Sequence, residues 1–221
     1  MQIEQVFGGL VGDTSAQAIQ LRMRQAGQNV IGNSRILAWD AAGLNPIILL
    51  DPTTSVAASA AGSTVLFATA AFTTKMNEAG PAFAPDFTLA NPIPPSYLAA
   101  GKITFESNAG LVYWGFAWGG AGYTGTNTGS TQNDSDGNFG APFGSPLPTA
   151  SFQGVFFDGP HTDLSTNNAA DYLLTNNPGT VTRNNGNAFT VVPEPGTGGV
   201  LACAALVFGA LAYGRRRRSA A

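Results

Sequence analysis

The chain has 221 residues, enough for one domain with a real core plus appendages. Only 10% of them are charged, against about 25% in ordinary soluble domains, so solubility rests on neutral Gly, Asn, Thr and Ser, as in extracellular surface proteins. The formal charge of −3 hides a split: four arginines and one glutamate lie from Glu194 onward, leaving a body of −6 whose six basic residues are scattered, which excludes a phosphate-binding stripe and nucleic acid as a partner.

The first strand signal is Ile3 to Phe7. Gln17 to Arg24 follows with strict alternation, Ile19, Leu21 and Met23 on one face and Gln20, Arg22 and Arg24 on the other, the period of a half-buried strand. Further short runs fall at Arg35 to Asp40, Pro46 to Leu50, Thr64 to Thr69, Lys102 to Glu106 and Leu111 to Trp118, and later at Gln153 to Phe157 and Ala188 to Val192. Gly8-Gly9, Gly12-Asp13, Gly27-Gln28-Asn29, Ala42-Gly43, Ala61-Gly62 and Asn108-Ala109-Gly110 separate them with turn chemistry. The one helical signal in the body is Thr73 to Ala79. Eight or nine short strands of this kind predict an all-β fold, an antiparallel sandwich or barrel.

The order of Ile3-Glu4-Gln5-Val6-Phe7, Ala18-Ile19-Gln20-Leu21-Arg22, Val65-Leu66-Phe67-Ala68, Gly101-Lys102-Ile103-Thr104-Phe105 and Val112-Tyr113-Trp114-Gly115 resembles a lamin-tail-type immunoglobulin-like domain over residues 1 to about 120. Gln20 stands where many such domains carry an acidic residue. The resemblance implies an immunoglobulin-like antiparallel β-sandwich used as an interaction module, with no catalytic residues to carry over.

The organisation predicted along the chain is a sandwich core at 1–118, a Gly/Thr/Asn-rich loop region or Gly-rich hairpin at 119–150, and terminal strands with a polar, asparagine-clustered linker at 151–192. A C-terminal signal follows at 193–221. Within it, residues 196–214 are nineteen without a charge, which as a helix would span about 28 Å, near the roughly 30 Å of a bilayer core. Apolar residues fall on every side of that helix, as lipid requires. Arg215, Arg216, Arg217 and Arg218 come directly after, and such a cluster stays cytoplasmic, which places everything before residue 193 across the membrane. Pro193 and Pro195 keep the chain extended outside the membrane, and Glu194 cannot enter it.

Pro-Glu-Pro, one spanning segment with small residues, then terminal arginines: this order resembles the PEP-CTERM sorting signal of bacteria that have an outer membrane and make exopolysaccharide. The resemblance covers about the last thirty residues. It implies that Pro193, Glu194 and Pro195 are the motif recognised by exosortase, a membrane protease-transpeptidase, and that the tail holds a precursor in the inner membrane with its body in the periplasm. Cleavage near the motif would send the body to the cell surface or exopolysaccharide matrix. Such a protein carries a leader, whereas Met1 to Phe7 has neither a basic n-region nor an apolar h-region, so the expectation is a start site that was missed or a leader already removed.

Few residues suggest chemistry. Cys203, the only cysteine, lies in the apolar tail, which rules out a disulfide within this sequence. Asp134, Asp136 and Asn138 place oxygens at alternating positions, a candidate calcium loop, although Phe139 and Ser145 stand where such a loop needs glycine and an acid; the other reading is a solvated turn. His161 is the only histidine and reads as a surface loop residue. Trp114 and Trp118 are candidates for stacking on sugar rings, but alternation also puts them on one face with Phe116, opposite Tyr113, as core residues. The acidic residues show no catalytic spacing, and no phosphate loop or nucleophile elbow is present. The sequence thus predicts a non-enzymatic exported surface or matrix protein without a cofactor. A glycan- or calcium-binding module is the second reading, and a secreted hydrolase the third.

Overall fold

The computed structural model describes residues 1–79 and 82–191. These residues are mostly β-sheet: two sheets face each other across a hydrophobic core, and a small hairpin lies outside. The larger sheet has six strands in the order β10-β9-β1-β2-β5-β6, formed by β1 (Gln2–Phe7), β2 (Ala18–Arg22), β5 (Thr64–Ala68), β6 (Phe87–Thr88), β9 (Val155–Phe157) and β10 (Tyr172–Leu174). The smaller has the order β4-β3-β7-β8, formed by β3 (Ser34–Trp39), β4 (Ile47–Leu50), β7 (Gly101–Ser107) and β8 (Val112–Trp118). Every pairing is antiparallel except that of β5 with β6. The hairpin joins β11 (Thr180–Thr182) to β12 (Ala188–Thr190), and the α-helices among the described residues are α1 (Ala70–Ala79) and α2 (Asn168–Asp171).

Alternation decides which side chains fill the sandwich. Ile19, Leu21 and Val65 and Phe67 from the large sheet meet Ile36, Ile103, Trp114, Phe116 and Trp118 from the small one, all of them fully buried. In β1 both Ile3 and Val6 face this core although three positions apart. A bulge between Ile3 and Gln5 explains it, since it inserts Glu4 opposite no partner of β2 and so shifts the facing by one residue.

The outer face of the six-stranded sheet is divided in two. At one end Phe7, Ala18, Leu66 and Ala68 are apolar and lie under Phe72 and Met76 of α1 and Val181 of the hairpin. At the other end Gln5, Gln20, Arg22 and Thr64 are polar. The helix starts at Ala70, before the expected Thr73, because the Thr69 hydroxyl accepts the Phe72 N–H at 3.2 Å and its carbonyl accepts the Thr73 N–H at 3.0 Å.

The sandwich draws on residues from both sides of position 118. Strands β9 and β10 extend the large sheet beside β1, and the glycine-rich segment closes the free edge of β8. Ser130 N–H donates to the Val112 carbonyl at 2.8 Å, Phe143 N–H to the Ala117 carbonyl at 2.8 Å, and the Asn168 carboxamide receives the Ala117 N–H at 2.8 Å. Gly115 makes this approach possible, since a Cβ there would lie 2.9 Å from Asn127 Oδ1 and 3.0 Å from the Phe139 ring. An open strand edge is a site for unwanted pairing, and this segment covers it. Of the described residues, none belongs to a helix long and apolar enough to cross a membrane; the expected spanning segment 196–214 lies outside them.

Candidate functional site

Trp114 and Trp118 are core residues, which corrects their reading as sugar-stacking rings. Both are fully buried, leaving no ring face for a ligand. Trp114 Nε1 donates to the Tyr172 hydroxyl at 2.8 Å, that hydroxyl donates to the Ile3 carbonyl at 2.5 Å, and the Arg24 guanidinium lies 4.9 Å from the Trp114 ring centroid. Trp118 Nε1 donates to the Tyr97 carbonyl at 3.0 Å. Phe116 lies in the core between them, stacked on Tyr172 at 4.2 Å, and Tyr113 on the opposite face is only partly buried.

The candidate calcium loop is also a correction. Asp134 is fully buried, and its Oδ2 accepts the N–H and hydroxyl of Thr166 at 2.9 and 2.6 Å while Oδ1 accepts the Asp136 N–H at 3.2 Å. Asp136 in turn accepts the Asn138 N–H at 2.8 Å, and Asn138 the Gly140 N–H at 3.1 Å. The alternating oxygens are thus spent on successive backbone turns. No group of three or more acidic, histidine or cysteine side chains placed to hold a metal occurs among the described residues. Burial by itself would raise the Asp134 carboxyl, but the bonds from Thr166 and Asp136 outweigh it and hold the group below the usual carboxylate range.

Pro193, Glu194 and Pro195 and the cluster Arg215, Arg216, Arg217 and Arg218 lie outside the described residues. Val191, the last described, is fully buried and its N–H donates to the Gly179 carbonyl at 2.8 Å.

The feature that sequence reasoning missed is a polar cleft on the outer face of the six-stranded sheet, where the hairpin leaves the surface uncovered. Two adjoining hollows of about 280 and 370 Å3 share Glu4 and Gln20 in their lining. Gln20 pins the wall in place: its Oε1 accepts the Thr182 N–H at 2.6 Å, and Thr64 Oγ1 donates to the Thr182 carbonyl at 2.9 Å. Glu4, the bulged residue, accepts from Arg22 Nη1 at 2.9 Å and from Gln2 Nε2 at 2.7 Å. Burial raises its carboxyl above the ordinary glutamate value in spite of the Arg22 charge and the Gln2 hydrogen bond. Arg183 Nε lies 3.6 Å from Asp86 Oδ1. The signal available in the sequence was Gln20 on the polar side of its strand, but nothing there showed that a hairpin 160 residues later would stand above it.

No family model matches the chain, and neither a curated protein nor a solved structure matches it.

Proposed function

We propose that this chain is a bacterial surface or extracellular-matrix protein, non-enzymatic, exported as an inner-membrane precursor and processed by an exosortase. The observation that carries the reading is the order of the last thirty residues: Pro193-Glu194-Pro195, the uncharged stretch 196–214 and Arg215 to Arg218. In this reading 196–214 is a single transmembrane helix, the body folds in the periplasm as an immunoglobulin-like sandwich, and cleavage near the motif releases it to the cell surface and its exopolysaccharide or biofilm. The low charge of the body supports an extracellular role. The non-enzymatic part is supported by the commitment of buried and half-buried carboxylates to structure: Glu106 pairs with Arg35 Nε at 2.7 Å, Glu4 with Arg22, and Asp134 with backbone donors.

Intact mass spectrometry of the protein recovered from its native host tests this, with wild type compared to Glu194→Ala. Loss of the tail from wild type alone is the expected result. A tail retained in both would make it a permanent anchor and remove the sorting reading.

A further inference from the structure

We propose that the cleft between the outer face of β1–β2 and the β11–β12 hairpin binds a segment of neutral polysaccharide. The protein leaves several polar groups of the cleft unused. In β11 the bonds Val191 N–H to Gly179 O and Arg183 N–H to Asn187 O fix which residues pair with β12, and alternation turns Thr180 and Thr182 away from it. Thr182 is capped by Gln20 and Thr64, whereas the backbone N–H and C=O of Thr180, on the same edge, have no partner among the described residues. Gln5 lines the same hollow, and its side-chain amide bonds to no described residue. Arg22 spends Nη1 on Glu4, and no described residue accepts a hydrogen bond from the rest of its guanidinium; Arg183 makes no side-chain hydrogen bond to a described residue. The Nε atoms of both arginines are buried, that of Arg183 3.6 Å from Asp86 Oδ1, so what these half-buried side chains offer the cleft is the rest of each guanidinium group.

The same residues discriminate between occupants. An anion or nucleic acid is disfavoured, because Glu4 and Asp86 already balance the two arginines and the body carries −6. An added peptide strand needs a run of free edge groups, and the Gln20 and Thr64 caps leave only Thr180. An apolar ligand would find one aromatic ring, Phe156, in a polar surround. A neutral polyhydroxylated chain matches what remains: each hydroxyl both donates and accepts, answering amide, guanidinium and backbone groups in turn, while the Phe156 ring can take the C–H face of one sugar. Two hollows that share Glu4 and Gln20 suit a chain longer than one sugar unit.

This deepens the surface-protein reading, on which it rests for the protein's access to extracellular polysaccharide; because purified chain is used, it fails or succeeds separately from the cleavage experiment. The full chain, kept in a detergent without a sugar headgroup, is measured by biolayer interferometry against immobilised dextran, hydroxyethylcellulose and galactomannan, with alginate as the anionic comparison. Binding to at least one neutral polymer in preference to alginate is expected. Gln5→Ala and Arg183→Gln should each weaken it by about three- to tenfold, the worth of one or two hydrogen bonds, and Leu111→Ala, next to β8, should leave it unchanged. Asp86 keeps its bonds from Leu66 N–H and Asn184 N–H in Arg183→Gln, and urea midpoints confirm that each variant is folded. No binding to any neutral polymer, a preference for alginate, or unchanged affinity in both folded cleft variants would overturn the proposal.

Discussion

Removing one oxygen from Tyr172 tests how the two sheets are tied together. The hydroxyl of this fully buried residue accepts from Trp114 Nε1 in β8 at 2.8 Å and donates to the Ile3 carbonyl in β1 at 2.5 Å, so one atom bridges the sandwich. Ile3 needs it because β9 runs beside β1 only at Gln5 and Val6, and the edge of β1 is otherwise open at that point. Tyr172→Phe keeps the ring and its 4.2 Å stack on Phe116 but strands an indole N–H and a carbonyl inside the core. Each unsatisfied group costs about 1–3 kcal/mol, and part is returned because no hydroxyl has to be dehydrated, so a net loss of about 3 kcal/mol is expected. With a urea slope of about 2 kcal/mol/M, the midpoint should fall by about 1.5 M. The assay is equilibrium urea unfolding of the full chain followed by tryptophan fluorescence and far-UV circular dichroism. It is repeated for Trp114→Phe and the double variant, where a coupling of about 1 kcal/mol or more is expected. A loss below about 1 kcal/mol with no coupling would show that water reaches these groups and would refute the bridging role.

Gly119 has φ +96° and a Cβ there would lie 2.6 Å from the Ala100 Cα, whereas Gly12, at φ +86°, has open space around it. Gly119→Ala should therefore cost more than about 3 kcal/mol by urea unfolding and Gly12→Ala only about 1 kcal/mol. Asp134 has a depressed carboxyl in the folded protein, so its contribution is present above the unfolded value of about 4 and is lost as pH falls through the folded one. Asp134→Asn should lower stability at pH 7 by about 2–3 kcal/mol and flatten the acid limb of a urea-midpoint profile below about pH 4; an unchanged acid limb would count against the turn-capping role. Millimolar calcium should leave the melting temperature of wild type unchanged, as scanning calorimetry can check. Asn168→Ala removes the acceptor for the Ala117 N–H, so that amide should exchange with solvent faster than its neighbours in β8, by hydrogen-exchange mass spectrometry.

Most of the strand content and the facing of individual side chains were legible in the sequence. Period-two alternation is local, so Ile19, Leu21 and Met23 could be assigned to the core from their own neighbours, and Trp114, Phe116 and Trp118 to one face opposite Tyr113. Strands β6, β10 and β11, of two or three residues, gave no signal, whereas β9 and β12, just as short, did, because their apolar residues continue into a longer run of the chain. The roles of the polar residues emerge only from the folded chain. Asp134 and Asp136 have the same chemistry in a calcium loop as in a backbone turn, and only the position of Thr166, thirty-two residues on, made Asp134 a buried cap. Glu4 reads as an ordinary strand residue until the bulge and the distant hairpin place it in a cleft with Gln20 and Arg22. Facing within a strand follows from neighbours in the chain, whereas hydrogen-bond partners and surface concavity depend on segments brought together from far apart in it, where no local pattern is written.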